Sequence, residues 1–206
     1  MAEDAILIEP TTAAGRKRGL RAALRAQRLA LPAVDRMRDA EGVADILRAR
    51  PDFPDQGYVA GYWAMDGELP LHVLQMRLRD RLVWCLPCIQ ADRSLRFAPW
   101  RPGDELVANR YGIPEPALSS DAQLEATQMA AILVPLLGFT RAGARLGMGG
   151  GFYDRSLAAR GGHPPPLLVG VAYPFQQLDE IPAEPWDIRL DAVVTAREYI
   201  DCHSNA

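Results

Sequence analysis

The stretch from Val134 to Arg155 constrains this chain more than any other part of it. An apolar run ends in a loop with glycine at 143, 147, 149, 150 and 151, and Phe152, Tyr153, Asp154 and Arg155 follow at once. Glycine carries no Cβ, so backbone N–H groups in such a turn can approach an anion closely. A helix starting there would add its free N–H groups and the positive end of its dipole. Arg145 and Arg155 bracket the loop with positive charge, and Asp154 offers a hard oxygen to a magnesium ion travelling with a nucleotide. The wording is not a P-loop: G-x-x-x-x-G-K-[ST] is absent, and Phe152 stands where G-x-G-x-x-G would need its last glycine. On spacing alone two readings stay open, a phosphate cradle and a cluster that only turns the chain between a strand and a helix.

The apolar pattern places this loop in an α/β frame. Residues 130–135 and 167–172 are continuous apolar runs of the kind buried on both faces of a parallel sheet. The glycine loop and a helix over 152–160 lie between them. Earlier in the chain the pattern predicts helices over 16–31, 32–50 and near 70–80. Strands are expected over 57–63, 82–87 and 95–100, the last near an edge because of Pro99. Residues 101–120, rich in Pro and Gly, read as an ordered loop, residues 161–166 as a stiff connector, and 197–206 as a loosely held tail. The expected fold is a three-layer α/β sandwich with a mainly parallel central sheet, its Gly-rich phosphate-binding loop at strand C-terminal ends.

Charge and cysteine usage narrow the function class. With 206 residues the chain suits one domain, and 49% hydrophobic with 24% charged residues can supply a full core. A net charge of −3 argues against non-specific nucleic-acid binding. Residues 16–28 hold Arg16, Lys17, Arg18, Arg21, Arg25 and Arg28 with no acid, but without the interleaved aromatics or strong apolar face that RNA or a membrane would use. Lys17, Arg21, Arg25 and Arg28 stack along one side of the first helix, and the plain reading of such a stripe is a solvated face. No run of 18 apolar residues and no signal peptide is seen, and three cysteines suit a reducing cytoplasm. Cys85-Leu-Pro-Cys88 lacks the following helix that a redox pair needs and the second ligand pair that zinc needs, so both thiols are read as core residues.

Arg145 to Arg155, behind Val134, Pro135, Gly138 and Phe139, resembles the signature of 5-formyltetrahydrofolate cyclo-ligases, also called 5,10-methenyltetrahydrofolate synthetases. Lys17 to Arg21 is similar to the family's K-x-x-L-R element, and Met65 to Glu68 sits where it carries a glutamate after the first core strand. Tyr111 to Pro116, Gly170 to Gln176 and Pro185 to Thr195 resemble further segments in the family's order, over about residues 16–196. Residues 1–15 and 197–206 are left as tails of a single domain. Some members place a basic residue at the positions of Met148 or Gly150; here phosphate contacts there would fall to backbone or to other basic residues.

The resemblance implies ATP-driven ring closure of 5-formyltetrahydrofolate, with ADP and phosphate released. It implies that Lys17, Arg21, Arg145, Leu146, Gly147, Met148, Gly149, Gly150, Gly151, Phe152 and Tyr153 meet ATP. It puts Trp63, Glu68 and Tyr153 against the folate, and Arg145 with Asp154 at the chemistry. Mg²⁺ would lie on Asp154 and a second acid, Asp187 by preference over Asp191. Arg25 and Arg28 keep the solvated reading. A cytoplasmic monomer without nucleic-acid or membrane partners is expected. Two other classes stay open: a reduced-folate binder without catalysis, and a sugar-phosphate sensor or isomerase on a related α/β fold.

Overall fold

The computed structural model describes residues 12–160 and 164–205. The acidic N-terminal stretch and part of the 161–166 connector lie outside them. Helix α1, Ala13–Ala30, starts at Thr12, whose Oγ1 accepts the Gly15 N–H at 3.1 Å and satisfies one open donor of the first turn. Helix α2, Ala33–Ala49, follows Pro32, whose φ of −59° suits a helix start. Strand β1 (Gly57–Ala60), the short helix α3 (His72–Met76), strand β2 (Leu82–Ile89) and strand β3 (Leu95–Pro99) come next. Strands β4 (Leu106–Ala108) and β5 (Pro114–Pro116) pair as a hairpin inside the segment expected to be loop. Strand β6 (Met129–Pro135) leads into a second small hairpin, β7 (Gly138–Phe139) and β8 (Arg145–Leu146), then the glycine loop and helix α4 (Phe152–Leu157). Strands β9 (Leu167–Val171), β10 (Ala192–Val194) and β11 (Tyr199–Asp201) complete the order.

Seven strands form one sheet in the order β11-β10-β9-β6-β1-β2-β3. The pairs β10–β9, β9–β6, β6–β1 and β1–β2 are parallel, and only the edge strands β3 and β11 run antiparallel to their neighbours. Both faces are covered, as the unbroken apolar runs require. Along β6, Ala131 and Leu133 join a cluster with Val43, Ala44 and Leu47 of α2, while Ile132 and Val134 join one with Leu157 of α4. Each fully buried Leu or Ile here contributes about 1.5–3 kcal/mol. Tyr199–Asp201, expected in a loose tail, is an edge strand, held because Ile200 and Cys202 fill the α4-side core. The expected strands and helices are otherwise present with shifted bounds; α1 starts earlier and β2 runs on to Ile89, whereas β1 stops at Ala60 because Tyr62 and Trp63 already belong to the loop over the sheet end.

The chain leaves β1 for β2 and β3 on one side, then returns to β6 on the other and proceeds through β9 to β10. Strand order therefore reverses between β1 and β6. Connections that diverge on either side of such a point leave a crevice beyond the strand C-terminal ends, and ligands of open α/β sheets bind there.

Candidate functional site

A cleft of about 1230 Å³ opens at that point. Its floor is made by Val134, Pro135 and Leu136 from the end of β6, with Tyr62 and Trp63 from the end of β1. One wall is cationic and glycine-rich. A carboxylate and several aromatic rings line the same cleft.

The cationic wall is assembled from three distant pieces of chain. Arg21 of α1 donates from Nε to the Gly147 carbonyl at 2.9 Å, and its guanidinium lies against Gly149. Lys17, one turn earlier, is buried to 8% exposure and meets Asp187 at 3.0 Å. Arg145 reaches Asp154 Oδ1 at 2.5 Å and also donates to the Ile188 carbonyl, while the Ile188 N–H donates to the same Asp154 oxygen at 3.1 Å. Leu24 of α1, packed on Leu137 and Leu146, fixes the helix against the β7–β8 hairpin so that these contacts form. Lys17, Arg21, Arg145, Gly147, Met148, Gly149, Gly150, Gly151, Phe152, Tyr153, Asp154 and Asp187, singled out in the sequence, all line this one cleft. Gly149 and Gly151 hold φ of +93° and +67°, which side chains with a Cβ rarely adopt, so the loop's path requires glycine there. Leu146 belongs half to the core, at 1% exposure.

Glu68 also lines the cleft: it accepts the Met65 N–H on Oε2 at 3.0 Å, and its Oε1 faces Arg28 Nη1 at 3.7 Å. Burial pushes the Glu68 carboxyl above the ordinary value of 4.5, against the Met65 N–H and the Arg28 charge, which hold it down. Tyr62, whose OH donates to the Leu69 carbonyl at 2.8 Å, and Tyr153 also feel the Glu68 charge; burial raises both phenols, so they remain neutral donors. Trp63 stands edge-on to Trp100 at 5.9 Å, and Tyr111 edge-on to Phe152 at 5.9 Å. Flat apolar surface therefore lines the same cleft as a half-buried acid.

Several placements differ from expectation. Arg28 is not on a solvated face: at 1% exposure it is among the largest fully buried side chains. The loop 65–68, remote in sequence, lies over that turn of α1, and Arg28 Nε donates to the Asp66 carbonyl at 2.9 Å. Arg25, beside it, does remain half-exposed, paired with Asp66 at 2.9 Å. Asp191 is no part of the cleft lining; its carboxylate takes Arg160, the Leu168 N–H and His203 instead. Cys85 and Cys88 are buried free thiols on β2, and burial pushes each up to about 12. Tyr62, Trp186 and Arg155 also line the cleft. No role for Tyr62 or Trp186 could be read from sequence, because an aromatic after a strand or a proline most often packs in the core. Glu115 does line it, with Oε1 taken by the Ile89 N–H at 2.9 Å and Asn109 at 2.6 Å, so it braces the β4–β5 hairpin on β2.

Could a magnesium ion sit here? Among the described residues no group of three His, Cys, Asp or Glu side chains gathers as a metal cage. Asp154 and Asp187 both line the cleft, and Asp154 accepts the N–H of Ile188, the residue after Asp187. Magnesium commonly takes one or two carboxylates plus phosphate oxygens and water, so the donor set fits an ion arriving with a nucleotide.

A mixed α/β sheet with a cation-lined, glycine-walled cleft at its switch point defines an enzyme of the anion-handling α/β class. Comparison with known proteins makes this specific. The profile of the 5-formyltetrahydrofolate cyclo-ligase family matches residues 13–196, and the chain belongs to that family. It is 39% identical over 141 residues to the 5-formyltetrahydrofolate cyclo-ligase of Escherichia coli, covering 66% of this chain and 76% of that one. It is 34% identical over 136 residues to the Haemophilus influenzae enzyme of the same name, covering 64% and 72%. Among solved structures, the 5,10-methenyltetrahydrofolate synthetase of Aquifex aeolicus superposes with a TM-score of 0.77 at 30% identity, over 90% of this chain and 92% of that one. The Mycoplasma pneumoniae synthetase, at 22% identity and a TM-score of 0.67 over 87% and 98%, shares the fold.

Proposed function

We propose that this chain catalyses ATP-dependent closure of 5-formyltetrahydrofolate to 5,10-methenyltetrahydrofolate, releasing ADP and phosphate. The observation that carries this reading is that Lys17, Arg21 and Arg145 line the same cleft as Glu68, Trp63 and Tyr153. Such a site can hold a polyphosphate and a flat heterocycle at once.

A formyl oxygen is a poor leaving group, and phosphorylation cures that. The oxygen attacks the γ-phosphorus, the bond to ADP breaks, and N10 then attacks the activated carbon. The C–O bond breaks, phosphate leaves with its electron pair, and the N10 proton is lost. No covalent enzyme nucleophile is needed. The protein's work is alignment and charge balance. Lys17, Arg21 and Arg145 would hold the phosphate oxygens, with backbone N–H groups of 147–151 beside them. Asp154 would orient Arg145 and, with Asp187, hold Mg²⁺, which when bound offsets phosphate charge. Glu68 would take the N10 proton, Trp63 and Tyr153 would pack on the pterin and aryl rings, and Tyr62 and Tyr153 would stay protonated.

Formation of the methenyl product, followed by its absorbance with purified protein, ATP, magnesium and 5-formyltetrahydrofolate, tests the reading. Product without ATP consumption, or none at all, refutes it. Tight folate binding without ADP release would instead indicate a reduced-folate binder, in which the clustered cations have no task. We also propose that the chain acts as one domain and as a monomer, in the cytoplasm and without nucleic-acid or membrane partners. Consistent with the last point, no described helix is long and apolar enough to cross a membrane.

A further inference from the structure

Arg28 is an expensive residue to bury. Its guanidinium is 1% exposed, and Nη2 has no hydrogen-bond partner among the described residues. An apolar side chain of similar volume would commonly serve stability as well or better at such a position. What Arg28 does touch is the substructure that presents Glu68. Nε donates to the Asp66 carbonyl at 2.9 Å, Nη1 to the Leu136 carbonyl at 3.4 Å, and Nη1 lies 3.7 Å from Glu68 Oε1.

The loop that carries Glu68 depends on this contact. It turns through Asp66 and Gly67 at φ of +49° and +74°, and a Cβ on Gly67 would come within 3.0 Å of the Arg28 carbonyl oxygen. From the other side Tyr173 OH donates to the Gly67 carbonyl at 3.1 Å. Leu136, the third group held by Arg28, is also held by Gln176 at 2.8 Å and stands at the end of β6 on the cleft floor. Arg28 itself does not line the cleft, so it can act on a substrate only through the groups it holds, Asp66, Leu136 and Glu68. It shares helix α1 with Lys17 and Arg21, and eleven residues of helix separate Lys17 from Arg28 by about 16 Å. One helix thus carries Lys17 and Arg21 of the cleft lining and the arginine that holds the Glu68 loop.

We propose that Arg28 is a positioning residue for the reaction: it fixes the Glu68 carboxylate at the N10 end of the folate and ties that placement to the helix that grips the phosphates. The inference rests on the cyclo-ligase reading of the site. The groups facing Glu68 are Arg28 on α1, Asp66 on its own loop, Tyr62 after β1, Tyr153 on α4 and Tyr173 after β9. Among the described residues Arg28 is the one cation paired with the Glu68 carboxylate; Arg36 of α2 lies beside Gly67 of the same loop. Without it, burial and Asp66 act on the carboxyl with only the Met65 N–H opposing them, and protonation reaches higher pH.

The test is the pH dependence of kcat, with separate KM values for ATP and folate, in wild type, Arg28→Met, Arg28→Lys and Glu68→Gln. Arg28→Met is expected to lower kcat at neutral pH by about tenfold or more and leave KM for ATP within about twofold. Its acid limb should move up by about one pH unit. Arg28→Lys should keep the limb near the wild-type position, and Glu68→Gln should abolish it. If Arg28→Met does not fold, Arg28→Gln, which keeps a donor for the Asp66 carbonyl and removes the charge, takes its place with the same expected shift. A lowered melting temperature with an unmoved limb and unchanged kcat overturns the inference and leaves Arg28 a structural tie. Absence of turnover in the wild type overturns the cyclo-ligase reading and this inference together. Turnover with an unmoved limb overturns this inference alone.

Discussion

Lys17 Nζ and Asp187 Oδ2 meet at 3.0 Å, although 170 residues of chain separate them. The same Asp187 oxygen accepts the Glu184 N–H at 2.9 Å, so the acid is fixed by its own turn before Lys17 reaches it. The pair bolts the first helix to the segment between β9 and β10 and sets a cation on the cleft wall. Because Lys17 is nearly buried, its charge is weakly screened, and a phosphate entering the cleft can draw on it strongly.

The first prediction therefore separates Lys17 and Arg21 from Arg25. A contact to triphosphate that is partly shielded from water contributes about 1.5–3 kcal/mol, or about ten- to a hundredfold in the ATP dependence. Lys17→Ala and Arg21→Ala should raise KM for ATP by that order with a smaller change for folate. Arg25→Ala removes only a half-exposed pair with Asp66 and should stay within about twofold of wild type. Steady-state kinetics with each substrate varied in turn would show it. Equal, mild effects from all three would mean that Lys17 and Arg21 only tie the helix to its neighbours and hold no phosphate.

Asp154 carries the second prediction. Its Oδ1 takes both Arg145 and the Ile188 N–H, so the side chain orients a cation as well as offering an oxygen to magnesium. Asp154→Asn keeps the shape and removes the charge. It should lose at least about a hundredfold in kcat/KM, in line with removing a charged group from a site of charge transfer. Excess chelator should likewise stop the wild type. Turnover that persists in chelator sinks the magnesium role, and a wild-type rate in Asp154→Asn leaves Asp154 as a brace for the Ile188 segment.

The third prediction concerns the cysteines. Burial holds Cys85 and Cys88 as thiols up to about 12, so at neutral pH neither is a nucleophile. Native protein should resist iodoacetamide at both positions, and denatured protein should take it up, as intact-mass measurement would reveal. Cys85→Ser with Cys88→Ser should leave turnover within about threefold of wild type apart from a packing cost. The sign of the pH effect follows. The folded thiols ionise later than unfolded ones at 9.0, so their contribution to stability is complete below that pH and is lost as pH rises towards about 12. Dithiol-dependent activity or bound zinc would contradict the assignment.

What was legible in the sequence and what was not divide along a physical line. The runs through Leu133 and Val169 signalled a buried parallel sheet, because only a sheet covered on both faces hides every side chain of a strand. The glycine loop was legible because its backbone conformation demands glycine at 149 and 151. Arg28 was not. Helical spacing gives the phase of a residue on its own helix, whereas its burial is decided by the 65–68 loop, which arrives from elsewhere in the chain. The 199–201 edge strand was missed for a related reason: three residues are too short for a period to show. Asp187 and Asp191 look alike in sequence, and only the fold sends one to Lys17 in the cleft and the other to Arg160 away from it.

The last prediction uses the loop glycines against one another. A Cβ on Gly147 would meet nothing within 4 Å, whereas one on Gly150 would fall 2.5 Å from the Phe152 ring. Gly149, with its φ of +93°, would be strained by any side chain. Gly147→Ala should therefore fold with an unchanged or slightly raised melting temperature, since the added methyl meets nothing and narrows the freedom of the unfolded chain. Gly150→Ala should displace Phe152, and Gly149→Ala should strain the turn, each costing about 1–3 kcal/mol and lowering the melting temperature by several degrees. If the loop approaches phosphate, Gly147→Ala should still raise KM for ATP, because its added methyl occupies open space on the cleft wall. Thermal melts and ATP kinetics on the three variants measure both effects. A Gly147→Ala protein with wild-type ATP dependence would mean that the loop serves only to turn the chain from β8 into α4.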